Sequence, residues 1–395
     1  MAHEHPIDHP TPATHHPGYR QPPPRVAALR TRPETVVDDY RRLMHLANYQ
    51  QFISPEIPTL IKLNLSWTKY FPACSSQPWQ VDGVAGTLVG DGYRRDQLIP
   101  IENKTVVTEP WKGARNNKWL PVLEKHGLRF QPLTEVEWDV HRFKTPLTVM
   151  DRIFPEGVVI PRMFRDKQVI HLPTVKTHGH ATTTGAIKNA FGGLLREVRH
   201  YCHKHMHEVL VDLVLMQREL HPAMFAVMDG TVCGDGAGPR TMVPRVGNVI
   251  LASADQVAID AIAAKIMGFD PMEIPYLRTC HEMGLGVADP RQIEVVGDEL
   301  PEMDPKFVVK KSLVIWGDQM LRKGPLRFLE RVALHSPLVV WAPFASNVYH
   351  DLMWYPTIGK RMIRQFEQTP WGELFRDYGT PSGPAVQPRL QPEPR

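Results

Sequence analysis

The 395-residue sequence holds only four cysteines, Cys74, Cys202, Cys233 and Cys280, and no two of them form a CxxC pair. That spacing provides neither a zinc ribbon nor a ferredoxin-type iron–sulfur motif. Nowhere do about 18 apolar residues run uninterrupted, so no spanning helix is expected. Walker A, GxGxxG and GxSxG patterns are missing, which removes the usual sequence handles for a nucleotide or a serine nucleophile. A net charge of +4 is modest, and the 46 basic residues are scattered rather than striped, so nucleic acid is not an expected partner. No secretory leader is recognisable, and a reducing cytoplasm is the expected compartment.

What is present is an ordinary globular composition, 42% hydrophobic and 22% charged. Residues 1–25 are dense in Pro and His and read as a disordered tail. Five of the nineteen histidines lie there, and either metal binding or a solubilising role would account for them. Strand-like runs at 59–65, 97–102, 128–130, 168–172, 220–229, 247–253 and 293–296 alternate with helical stretches at 33–50, 79–89, 115–126, 255–268 and 275–283. This alternation predicts an α/β fold over 26–300, with a mainly parallel sheet flanked by helices. A helical, aromatic-rich C-terminal extension follows over 301–379, and a second disordered tail over 380–395.

The stretch 168–195, QVIHLPTVKTHGHATTTGAIKNAFGGLL, organises the rest. It reads as a strand, a polar loop through Lys176, Thr177, His178, Gly179 and His180, and a helix capped by Thr182, Thr183 and Thr184. Apolar residues at Ala186, Ile187, Ala190, Phe191, Leu194 and Leu195 keep a 3.6-residue period. At about 100° per residue, Gly185, Lys188, Asn189 and Gly192 fall on the opposite face. Glycines beside a lysine and an asparagine leave room for a ligand against the backbone; a solvated face with tolerated glycines would read the same way. A Lys/His-rich loop at a helix start suits an anion or a polarised oxygen.

Two further clusters carry chemistry. In HYCHKHMHE, a helix would bring His200, His203 and His207 within about 60° of one another, a partial ligand set for a divalent metal or simply an exposed polar face. The apolar run MFAVMD ends in Asp229 and leads into DGTVCGDGAGPR, where Gly230, Gly234, Gly236 and Gly238 lie around Asp235. Such glycines permit positive φ and let amides face a ligand, or form a hinge. Asn64, Lys176 and Asp229 all lie at the carboxyl ends of predicted strands, where α/β sheets bind their ligands. Asp260 lies off the apolar stripe of its helix, available either to orient a site cation or to face water.

From about 305 the chain becomes aromatic and basic (PLVVWAPF, LMWYP). Packing across the main domain, a homo-oligomer interface or a peripheral membrane contact through 305–360 are the alternatives.

These motifs together resemble the domain of unknown function 362 family. IKLNL at 61–65, LPTVKTHGHATTTGAIKNAFGGLL at 172–195, MDGTVCGDGAGP at 228–239 and SADQVAIDAIAAKIMGFDP at 253–271 carry the likeness in order and spacing. The resemblance implies polar site positions at Lys176, His178, Lys188, Asn189, Asp229, Gly236, Gly238 and Asp260. Members often carry ferredoxin-like cysteine clusters beside this domain, which this chain does not have. The expectation is an enzyme acting on a small anionic or carbonyl-bearing substrate by redox or metal-assisted chemistry. Lys176 and Lys188 would bind the anion, His178 would carry a proton, and Asp229 would orient a cation, a metal or the histidine. Asn64, Asn189, Gly192, Asp235, Gly236, Gly238 and Asp260 would line the substrate. A divalent metal is the cofactor considered. The alternative is a non-catalytic metal- or cofactor-carrying accessory of a redox system.

Overall fold

A computed structural model describes residues 14–105, 108–196, 202–310, 317, 320 and 346–378. The strands are β1 (Arg25–Arg30), β2 (Thr59–Lys62), β3 (Leu98–Glu102), β4 (Gln131–Pro132), β5 (Trp138–His141), β6 (Val158–Pro161), β7 (Gln168–His171), β8 (Thr174–His178), β9 (Thr182–Thr184), β10 (Met224–Ala237), β11 (Thr241–Ser253) and β12 (Glu294–Gly297). The main helices are α1 (Val36–Leu46), α2 (Pro78–Gly90), α3 (Pro110–Asn116), α4 (Trp119–Lys125), α5 (Met150–Ile153), α6 (Ala186–Leu194), α7 (Met206–Leu220), α8 (Gln256–Ile266) and α9 (Pro275–Glu282). They are followed by a wide π-helix (Val348–Gly359), α10 (Lys360–Phe366) and α11 (Pro370–Asp377).

The main sheet runs β12–β1–β11–β10–β7–β2–β3–β4. Its centre is parallel: β10, β7, β2, β3 and β4 pair in that sense. The β1·β11 and β10·β11 pairs are antiparallel. β8 continues the line of β7 alongside β10, and β9 folds back on β8. The fold class is the one the alternating pattern predicts: an α/β sheet of mostly parallel strands, with helices over it and at the C-terminus.

Alternate residues of the central strands feed two cores, as the period of two requires. Leu60, Val169, Ala226 and Met228 face α6, α7 and α8. Ile61, Ile170, Phe225 and Val227 face α1 and α2. Strands buried on both faces need apolar side chains on both, which explains the unbroken runs in the sequence. α2 is buried nearly all round. Its outer side is closed by the C-terminal helices, Trp79 packing on Trp371 at 5.2 Å between ring centroids.

Several local expectations change. Residues 174–178 are strand, not loop, and Thr182–Thr184 pair with β8 rather than capping α6. The glycine-rich run 230–237 lies inside β10, with a register shift between Gly230 and Val232. The 115–126 stretch is two helices parted at Lys118, whose φ is 58°. β1 begins at Arg25, directly after the proline-rich leader. Part of that leader is held: His16 N donates to Arg218 O at 2.8 Å, and Thr145 Oγ1 to Thr14 O at 2.9 Å. Residues 1–13 and 379–395 lie outside the described residues, as do 311–316 and 321–345 of the aromatic C-terminal stretch.

Candidate functional site

The polar rim forms where β2, β3 and β7 end and β8 begins. β2 ends at Lys62, and two residues later Asn64 is pinned by its backbone. Its N–H donates to Ser76 Oγ (2.8 Å), and its carbonyl accepts from Ser76 N (2.9 Å). Ser76 Oγ in turn donates to Leu172 O at 2.7 Å, so the ends of β2 and β7 share one hydroxyl. Pinned in this way, Asn64 accepts from the Lys176 ammonium through Oδ1 and donates to Asn189 Oδ1 at 3.2 Å. Asn189 reaches from α6 and also donates to Lys62 O at 3.0 Å. Lysine and asparagines from three distant segments thus form one chain of contacts.

Lys176 is fully buried. Besides Asn64 it donates to Cys74 O (2.8 Å) and Thr174 Oγ1 (2.9 Å), which fills its three N–H bonds with neutral oxygens. Burial pushes its pKa down to about 8. It therefore remains an ammonium at neutral pH, without a carboxylate ion pair among the described residues.

A second buried cation lies beside it. Lys62 Nζ contacts Glu102 Oε1 at 2.8 Å, both side chains almost inaccessible. Glu102 Oε2 is buried without a hydrogen-bond partner. α6 comes close enough to cover this pair because Gly193 has no side chain; a Cβ there would sit 3.2 Å from Lys62 Cε. Lys62 lies in the IKLNL run noted in the sequence, whereas Glu102 was missed, and only its position at the end of β3 gave a signal.

His178 is buried, and its pKa is driven well down by that burial, then by Lys188 and the neighbouring histidines. Its Nδ1 accepts from His180 N–H at 3.1 Å, so the neutral ring carries its proton on Nε2. It is therefore a hydrogen-bond donor in a cationic neighbourhood rather than a reservoir of positive charge. Lys188 lies over the Phe191 ring at 5.1 Å, and Gly192 is partly buried on the same helix.

The other expected site residues have structural surroundings. Asp229 is wholly buried and accepts from Tyr40 OH (2.6 Å), Trp79 Nε1 (3.0 Å), Thr231 N (3.1 Å) and Thr231 Oγ1 (2.9 Å). Burial nonetheless raises its pKa. These donors come from α1, α2 and β10, and none is shared with Lys176. Asp260 accepts from the first amides of α6, Ala186 N at 2.6 Å and Ile187 N at 3.2 Å. Asp235 accepts from Val308 N at 2.9 Å and faces Arg245 at 3.3 Å. Gly238 is a close approach between strands: a Cβ there would collide with Thr177 O. Gly236 takes φ +97°, and its carbonyl accepts from Thr177 Oγ1 at 3.0 Å.

Of the histidine trio, His200 lies outside the described residues. His203 stacks on His180 with centroids 5.2 Å apart, and His207 on Tyr276 at 6.0 Å. Among the described residues no group of three His, Cys, Asp or Glu side chains is placed to hold a metal. A surface cleft of about 610 Å³ at Arg30, Arg245, Asn248 and Glu302 is lined by none of the expected site residues and meets them only through Arg245, which faces Asp235.

Comparison with known proteins gives the family. A family profile described as a domain of unknown function (DUF362) matches residues 59–265, which contain the entire polar rim. A thylakoid-associated protein of Synechocystis is 28% identical over 277 residues, covering 65% of this chain and 80% of the relative. No solved structure matches. With the profile spanning more than half of its length, the chain belongs to the family of the domain of unknown function 362.

Proposed function

We propose that the protein is an enzyme acting on a small anionic or carbonyl-bearing molecule bound over α6, between Lys188, His178 and the Lys176–Asn64–Asn189 chain. The observation that carries this is Lys176: a buried ammonium solvated by three neutral oxygens favours any guest that brings negative charge. His178 donates its Nε2 proton to a carbonyl or oxyanion, as a neutral imidazole can. Lys188 holds the anionic group from the helix. Asn64 and Asn189 fix the lysine's direction rather than touching the substrate. The reaction class is redox or metal-assisted, by association with the clustered cysteines that accompany other family members. A metal would draw on His203 and His207, with His200. Screening full-length protein against a panel of small carboxylates, phosphates and 2-oxo acids tests the reading. Lys176→Met, His178→Gln and Lys188→Met should each remove binding or turnover while circular dichroism stays unchanged. Three folded variants with native binding and turnover would dismiss the site.

A second reading is a peripheral, non-catalytic accessory protein on an anionic membrane surface. Two observations favour it: the relative's association with thylakoids, and Leu352 (70% exposed), Met353 (59%) and Ile358 (48%) beside exposed Lys360, Arg361 and Arg364. Among the described residues no helix is long and apolar enough to cross a membrane, so such contact would lie on the surface. Flotation with anionic and with zwitterionic vesicles separates the two; protein that stays with neither argues against membrane contact. A cytoplasmic location and self-association belong to the same set of proposals, read by fractionation and by light scattering.

A further inference from the structure

The tip joining β10 to β11 carries a partly buried cation, Arg240, that the proposed site does not use. Pro239 O accepts from Cys74 Sγ at 3.1 Å, which brings Arg240, the next residue, against the Cys74 loop. Arg240 Nη2 donates to Ser346 Oγ at 2.7 Å, so the segment entering the π-helix lies over the guanidinium. Its Nη1 is closed off from solvent and has no hydrogen-bond partner. Ser75 Oγ, on the residue after Cys74, is buried and unpartnered in the same way.

Among the described residues no carboxylate reaches Arg240. Asp351, which acts on it from a distance, is engaged by Trp67 Nε1 at 2.6 Å and Lys69 at 3.8 Å. His350 beside it is kept neutral, its pKa lowered to about 3 by burial and then by Arg240. Lys176 contacts the Cys74 carbonyl, so two cations and no acid flank one residue. An arginine cannot relieve burial by losing its proton, and a buried N–H without an acceptor carries its full desolvation cost. Its planar fork matches a carboxylate or a phosphate.

We propose that Arg240 anchors an oxyanion site beneath the C-terminal helix, its Nη1 binding the carboxylate or phosphate group of a small molecule beside Cys74. The site is distinct from the Lys188–His178 position and does not depend on catalysis there. Isothermal titration of the full chain with inorganic phosphate and with acetate, at constant ionic strength, tests it. The tighter of the two probes identifies the anionic group. Native protein should bind one of them at about millimolar strength, and Arg240→Gln should weaken that binding at least about tenfold. Arg240→Lys, which keeps the charge but not the fork, should weaken it as well and serves if the glutamine variant does not fold. Phenylglyoxal labelling of Arg240, mapped by peptide mass spectrometry, should be slowed by the bound anion. Binding that survives both substitutions belongs to the Lys176 region and overturns this site while sparing that reading. An absence of binding to either probe at about 50 mM overturns it too.

Discussion

Asp260 and Ala186 join two helices end to side: the carboxylate of α8 accepts the first amide of α6 at 2.6 Å. The α6 start carries no cap of its own, since the threonines before it are engaged in β9. Gly185 is the residue that makes this possible, because a Cβ there would collide with the Asp260 carboxylate. The helix bearing Lys188 and Asn189 is therefore aimed by a residue more than 70 positions away in sequence.

Asp260→Ala should lose about 1–3 kcal/mol of stability, through two buried amides left without an acceptor, measured by urea unfolding. Asp260→Asn gives a second readout. Burial raises the Asp260 pKa from 3.8 to about 7, so between those values the folded state holds the proton more tightly than the unfolded one. Stability therefore falls as pH rises across that window. The asparagine variant should show a shallower fall, the remainder coming from Asp255, which burial raises to about 6, and from Asp229 and Asp212, which burial also raises.

The lysine pKa gives a prediction of opposite sign. Folded Lys176 releases its proton at about 8 where the unfolded residue would do so at 10.5. Stability should gain as pH rises between these values, while affinity for an anionic ligand drops through about pH 8 as the charge disappears. Titrating ligand binding from pH 6.5 to 9.5 checks this. Lys176→Met should bind weakly with no inflection, and a native curve that is flat across that range would remove the lysine from the binding site.

Breaking the Lys62–Glu102 pair should be costly. Glu102→Ala leaves a buried ammonium without its carboxylate at 2.8 Å and should lose about 3–5 kcal/mol. The Lys62→Met, Glu102→Leu double variant should recover most of that loss, because two apolar groups need no partner. A double-mutant cycle by chemical denaturation reads the difference, and a loss in the double variant as large as in Glu102→Ala would refute it.

Placing charge on the exposed apolar strip of the π-helix should act on association and not on folding. Leu352→Asp with Met353→Asp should leave the melting temperature within about 2 °C, since neither side chain is part of the core. If the strip docks on anionic lipid, the pair of changes should abolish vesicle flotation. Lys360→Glu with Arg361→Glu should weaken flotation in low salt above all.

Sequence patterning made the α/β order legible because the central strands are apolar on both faces and the helices between them keep their period. Asn64 and Lys176 were legible together, with Asp229, because each was read at the carboxyl end of a strand; Asn189 was read only from the polar face of its helix. Glu102 was not legible: nothing in LIPIE distinguishes a buried ion-pair partner from the polar end of a strand. The glycines at 234–238 were expected to let amides face a ligand or to form a hinge; in the fold Gly234 lies beneath Met242 and Gly238 against Thr177 O. Asp229 looked like a ligand at a strand end, yet its surroundings depend on Tyr40 and Trp79, 189 and 150 residues away. No local pattern encodes contacts of that range.

The placement of β1 has a consequence for synthesis. Residues 25–30 sit between β11 and β12, bonded to both. β1 must therefore wait for β12 through roughly 270 residues of elongation, or about 15–50 s at ordinary translation rates. Until β11 emerges RVAALR has neither neighbour, and after that its other edge stays open until β12 follows. A nascent chain in that condition is a natural client for a holding chaperone, and a stalled one is a seed for aggregation.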